Sequence, residues 1–176
     1  MNPSILWGYL NTELDKLGFK VLQLMNDYIK SKVQLEQAIK NGCLDLAKAR
    51  YIRGGAAISS LQLPTEDSLG VKALAKVEAH HEKTDGCTSF SLLHFEPTIS
   101  NKKKSCRDSE KITDPLKWFG VLVPQNLRQA QAWFKQSIEL AVDCTNIQVN
   151  IQHKRKEFLR LLKLKRSLIS AESEFK

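Results

Sequence analysis

Glycine and aromatic residues are scarce in this chain of 176 residues: it has eight glycines, and aromatic residues make up 7% of it. The glycines form no phosphate-binding loop and no nucleophile elbow, so the familiar nucleotide-binding and hydrolase motifs are missing. The four cysteines, Cys43, Cys87, Cys106 and Cys144, include no C-x-x-C pair, and the four histidines fall at no zinc-ligand spacing. We therefore expect no catalytic residues, no metal site and no cofactor, which describes a protein that is not an enzyme.

Long apolar runs are also missing. No stretch reaches the roughly 20 apolar residues that a membrane-spanning helix needs. The short apolar run at the N-terminus follows no basic residue and is closed by Glu13 and Asp15, which argues against a signal peptide. These absences predict a cytosolic protein with free thiols, attached to membranes only through a partner or a basic surface.

The charge is basic and unevenly distributed. Lys and Arg number 27 against 19 Asp and Glu, a formal charge of +8. Residues 54–113 are balanced, whereas residues 114–176 carry 11 basic and 6 acidic groups. Such a chain favours an acidic protein, a nucleic acid or an anionic membrane as its neighbour, and charge alone does not choose among them.

The first third of the chain has the heptad spacing of a coiled-coil helix. Apolar residues recur at steps of three and four up to Tyr28, and the pattern resumes after Ser31 with a one-residue shift typical of a stutter. Gly54 and Gly55 should end the helix, which we predict from near Ser4 to near Arg53. The predicted stripe is Leu10, Leu14, Leu17, Val21, Leu24, Tyr28, Leu35, Ile39, Leu46 and Ala49.

The last third predicts a second helix of similar length. Pro124 suits a helix start, because the first-turn amides have no acceptor within the helix. Its stripe continues towards the C-terminus with Lys154 and Lys165 as interruptions, and it reads Leu127, Ala130, Phe134, Ile138, Ala141, Thr145, Ile147, Ile151, Phe158, Leu161 and Leu168.

Residues 54–113 lack sustained periodicity and predict a variable, partly disordered linker. Within this region and just after it, three runs suggest short strands: Ala57–Leu63, Thr88–Phe95 and Trp118–Val123. Glu66–Lys83 suggests a short helix, weakened by Gly70. The predicted fold is therefore mainly α: an antiparallel two-helix coiled-coil hairpin with helices in residues 1–53 and 114–176, and short strands at its connecting end.

The segment Asp114–Pro124 is the most distinctive part of the sequence. Trp118 and Phe119 lead a dense apolar group just before the second helix, so something must cover it. Packing that closes the hairpin is the favoured interpretation over an exposed partner site. At the end of the first helix, the charges of Arg50 and Arg53 complement the helix dipole in the favoured interpretation, and a contact site at Arg50 and Tyr51 is the alternative.

The C-terminal half of the second helix is strongly basic. A solvated coiled-coil flank is the usual meaning of such a run, and its functional alternative is a surface for acidic lipids or an acidic partner. Nucleic acid is disfavoured as a partner, because no aromatic residues are interleaved for stacking on bases. The basic surface consists of Lys154, Arg155, Lys156, Arg160, Lys163, Lys165 and Arg166.

Two strings, Leu46–Gly54 (LAKARYIRG) and Asp114–Phe134 (DPLKWFGVLVPQNLRQAQAWF), carry a family resemblance. Together they resemble the family of coiled-coil domain-containing protein 115, the animal relative of the yeast peripheral assembly factor for the vacuolar-type proton ATPase. The linker from Ala56 to Thr113 lies outside the resemblance.

The resemblance implies a chaperone-like factor that helps to build the membrane sector of the proton pump and so supports lysosomal acidification. Its implied partners are a small membrane-embedded assembly protein and subunits of that sector. Its implied place is the cytosolic face of the endoplasmic reticulum and early secretory membranes, extending to the Golgi, endosome and lysosome. The resemblance offers no catalytic residues, so the following are partner-contact or hairpin-closing positions: Arg50, Tyr51, Trp118, Phe119, Pro124, Leu127, Arg128 and Gln129.

Two alternatives of another class remain. A basic coiled coil could bind nucleic acid or anionic membranes directly, and such binding should fall steeply with added salt. A generic vesicle tether without a tie to the proton pump is the other.

Overall fold

The computed structural model describes residues 3–65, 71–81, 87–96 and 114–174, and the side chains of residues 7–65, 71–81, 87–96 and 114–170. Two long helices dominate it: α1 spans Pro3–Arg53 and α2 spans Gln125–Glu174. A two-stranded sheet lies between them in sequence, formed by β1 (Ala75–His81) and β2 (Thr88–His94). Short 3-10 helices occupy Ser60–Gln62 and Pro115–Phe119.

The predicted helix ends are confirmed. Helix α1 stops where Gly54 adopts a φ of +86°, a left-handed conformation that glycine adopts without steric cost. Helix α2 begins directly after Pro124, whose carbonyl accepts the amides of Leu127 at 3.1 Å and Arg128 at 3.3 Å. Within the described residues, neither long helix contains a window apolar enough to cross a bilayer.

The least exposed stripe of α1 keeps its heptad spacing without the predicted stutter. Ser31, Ala38 and Gly42 are buried, and they continue the steps of three and four set by Leu10 and Leu14. The predicted Ile39 is 44% exposed, so that part of the prediction is wrong. The pattern misled because Ile39 is the most apolar residue near the stripe, whereas small residues occupy the stripe itself and let another helix approach closely.

The stripe of α2 shifts by one residue at Ser137. The predicted Leu127 and Ala130 are buried, but Ser137 and Cys144 are buried in place of the predicted Ile138 and Thr145. Ala141, also predicted for the stripe, is exposed. Further on, the stripe of half-buried positions includes Ile147, Ile151, Lys154, Phe158, Leu161, Lys165 and Leu168, so the two lysines are part of it and do not interrupt it.

The chain forms two compact units, each containing a piece of both helices. The described residues of the first unit are 3–33, 80–81, 87–89 and 143–174. In it the Cys144 thiol donates a hydrogen bond to the Ser31 hydroxyl at 3.1 Å. Nearer the N-terminus, Gly18 faces Phe158. Residues later in α1 therefore contact residues earlier in α2, so the two helix segments of this unit run antiparallel.

The described residues of the second unit are 34–65, 71–79, 90–96 and 114–142. Its small core joins Ala49 of α1, Ile58 of the connection and Leu127 of α2. Gly42, one heptad earlier on α1 than Ala49, lies against the ring of Phe134. The two helix segments of this unit are therefore also antiparallel. Four half-buried residues pack around the core: Leu46, Leu116, Phe119 and Val123.

The β-hairpin confirms one strand prediction and corrects the predicted helix. The Phe95 amide donates to the Leu74 carbonyl at 2.8 Å, and the side chains of His81 and Thr88 are 2.9 Å apart at the other end. The strands are therefore antiparallel. The strand prediction for Thr88–Phe95 is confirmed as β2. The predicted helix Glu66–Lys83 is wrong where the structure describes it, because β1 occupies Ala75–His81; residues 66–70 and 82–83 lie outside the described residues.

The other two strand predictions are wrong, because side chains cap turns at both places. Ser59 and Gln62 form a reciprocal capping box around a 3-10 helix within Ala57–Leu63. The Asp114 carboxylate accepts the Leu116 amide at 3.0 Å and starts the 3-10 helix Pro115–Phe119, which includes Trp118. Capping side chains offer the backbone an alternative to strand pairing.

Candidate protein-binding site

The second unit contains an apolar cavity of about 590 Å³. Helix α2 contributes a stripe at spacings of three and four residues, which is the face that an amphipathic helix turns towards apolar surroundings. The 3-10 helix before α2 and the open end of the β-hairpin complete the lining. The lining residues are Leu46 from α1; Leu74, Ala75, His94, Phe95 and Glu96 from the hairpin region; Pro115, Leu116 and Phe119; and Leu127, Ala130, Gln131, Phe134, Lys135 and Ile138 from α2.

Two polar ties hold the lining elements in place. His94 Nε2 of β2 lies 3.2 Å from Glu139 Oε1 of α2, which connects the hairpin to that helix. Gln131 Nε2 donates to Asp114 Oδ1 at 2.9 Å, and the same carboxylate caps the 3-10 helix. The shape of the cavity therefore depends on side chains far apart in the sequence.

The cavity suits an apolar group. Only four of its lining side chains are polar: His94, Glu96, Gln131 and Lys135. Apolar walls with a few polar groups are typical of sites that bind hydrophobic anchors. Among the described residues, no group of three His, Cys, Asp or Glu side chains could hold a metal ion.

The predicted contact residues separate into three sets. Leu127 belongs to the core, Phe119 packs against it, and both line the cavity. Trp118 and Pro124 are half-buried beside them. The remaining four are exposed: Arg50, Tyr51, Arg128 and Gln129.

The predicted basic surface lies in the first unit, and the helix places two of its seven side chains on the half-buried stripe and five on the exposed side. Lys154 and Lys165 are half-buried, and Lys154 forms an ion pair with Glu157 at 2.9 Å. The other five are exposed and, at about 100° per residue, fall within an arc of roughly 140°. We call these five the basic face: Arg155, Lys156, Arg160, Lys163 and Arg166.

Comparisons with known proteins show which family the chain belongs to. A family model described as Vma22/CCDC115 matches residues 64–137. A human protein named "Vacuolar ATPase assembly protein VMA22" is 33% identical over 162 residues, covering 84% of this chain and 88% of its relative. Proteins of the same name from mouse and zebrafish are 31% and 29% identical, covering 85% and 87% of their lengths. The chain belongs to the Vma22/CCDC115 family.

Family membership confirms the resemblance carried by the two sequence strings and extends it. The Vma22/CCDC115 match includes residues 64–113, most of the linker that those strings left out. Every cavity-lining residue except Leu46 and Ile138 falls inside the matched segment.

The sequence did not predict that the β-hairpin formed by β1 and β2 contributes residues to this site. Leu74, His94 and Phe95 reach the cavity only because β1 and β2 pair and the hairpin is tied to α2. The strand pattern at Thr88–Phe95 was the available signal, but it predicts a strand and says nothing about the surface against which that strand packs.

Proposed function

We propose that this chain is an assembly factor for the vacuolar-type proton-pumping ATPase, acting by binding other proteins and not by catalysis. The observation that carries the proposal is the similarity along most of the chain to proteins named for vacuolar ATPase assembly. The apolar cavity supports it, since such a cavity can hold part of a partner without chemistry at a catalytic centre.

The proposal includes the long helices acting as one antiparallel coiled-coil hairpin. Antiparallel contacts within each unit and the heptad-spaced stripes support it. The hairpin presents the cavity to an apolar segment of a small membrane-embedded assembly partner or of a subunit of the ATPase membrane sector. The site of action is the cytosolic face of the endoplasmic reticulum, before the pump reaches later organelles.

Affinity purification from gently solubilised membranes tests this proposal. Ile138, 41% exposed at the cavity, is changed to Arg so that a charge enters the cavity with little effect on folding. Ile169→Arg is the matched control, because it changes the same residue type at 50% exposure elsewhere on α2.

We expect ATPase membrane-sector subunits and a small membrane protein to co-purify with the wild type and the control. Ile138→Arg should reduce their recovery at least tenfold, which corresponds to about 1.4 kcal/mol of binding free energy. If the wild type enriches no ATPase subunit, the assembly-factor proposal is wrong. If Ile138→Arg retains every partner, the cavity is not the contact site although the function stands.

A further inference from the structure

A second apolar surface of the second unit is exposed and lies outside the cavity. Tyr51 and Ile52 in the last turn of α1 are 91% and 64% exposed, and Val121 and Leu122 before α2 are 96% and 78% exposed. Arg53 Nη2 donates to the Leu122 carbonyl at 2.8 Å, which joins the two segments. We call these four residues, Tyr51, Ile52, Val121 and Leu122, the apolar tip.

The backbone around Val121 and Leu122 makes them project. Gly120 has a φ of +102°, a conformation that other residues rarely adopt. Phe119 and Val123, on either side of the tip residues, pack onto the core. With both neighbours anchored, the two apolar side chains between them point away from the core, although burial would normally be favoured for them.

The surroundings of the tip are basic. Residues 45–53 of α1, residues 114–119 with the 3-10 helix, and the first turn of α2 contain five basic residues and two acidic ones. Both acidic groups are engaged: Asp45 Oδ1 lies 3.4 Å from Lys48 Nζ, and the Asp114 carboxylate accepts hydrogen bonds from Leu116 and Gln131. The other basic residues are exposed: Arg50, Arg53, Lys117 and Arg128.

We propose that the apolar tip docks on an anionic bilayer surface, with Val121 and Leu122 entering the boundary between headgroups and acyl chains. Tyr51 is suited to the interface because its ring is apolar and its hydroxyl is polar. The surrounding cations would face lipid phosphates and the carboxylates of anionic headgroups.

A bilayer fits this surface better than a protein partner does. Val121 and Leu122 are 96% and 78% exposed, and a bilayer can take up such protruding apolar side chains without a matching pocket in a partner. Apolar side chains beside a group of cations are the combination by which peripheral proteins insert shallowly into anionic membranes. Binding of the purified chain to lipid goes beyond the proposed assembly function and can be tested without the ATPase.

Vesicle co-sedimentation of the full chain tests the docking proposal. The probes are vesicles of phosphatidylcholine alone and of phosphatidylcholine mixed with phosphatidylserine. The test variant is Val121→Ser with Leu122→Ser. The matched control is Val33→Ser with Leu22→Ser, which removes the same residue types from exposed positions on α1.

The wild type and the control should bind the anionic vesicles and bind neutral vesicles more weakly. The tip variant should lose at least tenfold of its affinity for anionic vesicles while its thermal melt stays unchanged. Reversing charges on the basic face provides a further arm, which should weaken binding less than the tip variant does.

Two results would overturn the proposal. The wild type could fail to bind either vesicle, or the tip variant could bind anionic vesicles as the wild type does. If a tip variant that keeps its lipid binding also loses proteins in the affinity purification, the tip is a protein contact. None of these results bears on the cavity, so the assembly-factor proposal would be judged separately.

Discussion

Gly42 of α1 lies directly against the ring of Phe134 of α2, and this contact offers a direct test of the helix register in the second unit. A Cβ atom at this position would lie 2.9 Å from Phe134 Cε1 and 3.0 Å from Phe134 Cζ. Alanine is favoured over glycine inside a helix by about 1 kcal/mol. Overpacking a buried contact costs about 1–3 kcal/mol, and the middle of that range, about 2 kcal/mol, applies because the contact is tight but the ring can move towards the cavity that it lines. Gly42→Ala should therefore lower the free energy of unfolding by about 1 kcal/mol.

Removing the ring should reverse the sign of this effect. In a Phe134→Ala background the added methyl group meets no ring, so Gly42→Ala should raise the free energy of unfolding by about 1 kcal/mol. The coupling between the two positions is then about 2 kcal/mol. Urea denaturation followed by circular dichroism measures all four proteins.

Gly18 provides the control for this cycle. A Cβ there would lie 3.8 Å from Phe158 Cε2, an ordinary van der Waals contact, so Gly18→Ala should stabilise the wild type by about 1 kcal/mol. If Gly42→Ala stabilises the wild type as much as Gly18→Ala does, Phe134 does not lie against Gly42. The helix register described for the second unit would then be wrong.

Further predictions concern the core, the end of α1 and the basic face. Phe119→Ala should lower the free energy of unfolding by about 3 kcal/mol because it empties a packed aromatic site. The exposed control, Val121→Ala, should change that free energy by less than about 0.5 kcal/mol. Thermal melting of the two variants measures the difference. Gly54→Ala should lower the free energy of unfolding by about 1 kcal/mol, because Gly54 has a φ of +86° in the left-handed region. Gly55 does not have a left-handed φ, so Gly55→Ala should lower it by less than half as much in the same thermal melting assay. Reversing three charges of the basic face should weaken membrane flotation at low salt and leave much of it near physiological salt, where the Debye length is about 8 Å. Equal losses at both salt concentrations would contradict that electrostatic account.

The helix ends could be predicted from the sequence because single residues determine them. Gly54 supplies the positive φ that stops α1, and Pro124 supplies a residue without an amide hydrogen where α2 needs none. The first part of the α1 stripe was equally accessible, because Leu10 and Leu14 are large and regularly spaced.

The middle of both helices was not accessible to pattern analysis. Ser31, Gly42, Ser137 and Cys144 are buried at stripe positions, yet none of them is a large apolar residue. These positions are buried because a side chain of the other helix packs against them, as Phe134 packs against Gly42. Phe134 is about 90 residues away from Gly42 in the sequence, so no local pattern predicts the contact.

The candidate cavity could be predicted only in part, for the same reason. Phe119 and Leu127 stood out because they belong to a dense apolar segment before a helix. Leu74 and Phe95 become part of the lining only through strand pairing and the tie between His94 and Glu139. Contacts of this kind depend on the tertiary fold and leave no local periodicity.

The most direct test of the account is organelle acidification in cells that lack their own member of the Vma22/CCDC115 family. Lysosomal pH is measured with a ratiometric dye, and assembly of the ATPase membrane sector is followed by native electrophoresis, with and without re-expression of this chain. The account predicts that the wild-type chain and Ile169→Arg restore both acidic lysosomes and the assembled sector, whereas Ile138→Arg restores neither fully. A wild-type chain that is folded and well expressed but leaves lysosomal pH raised and the sector unassembled would contradict the account.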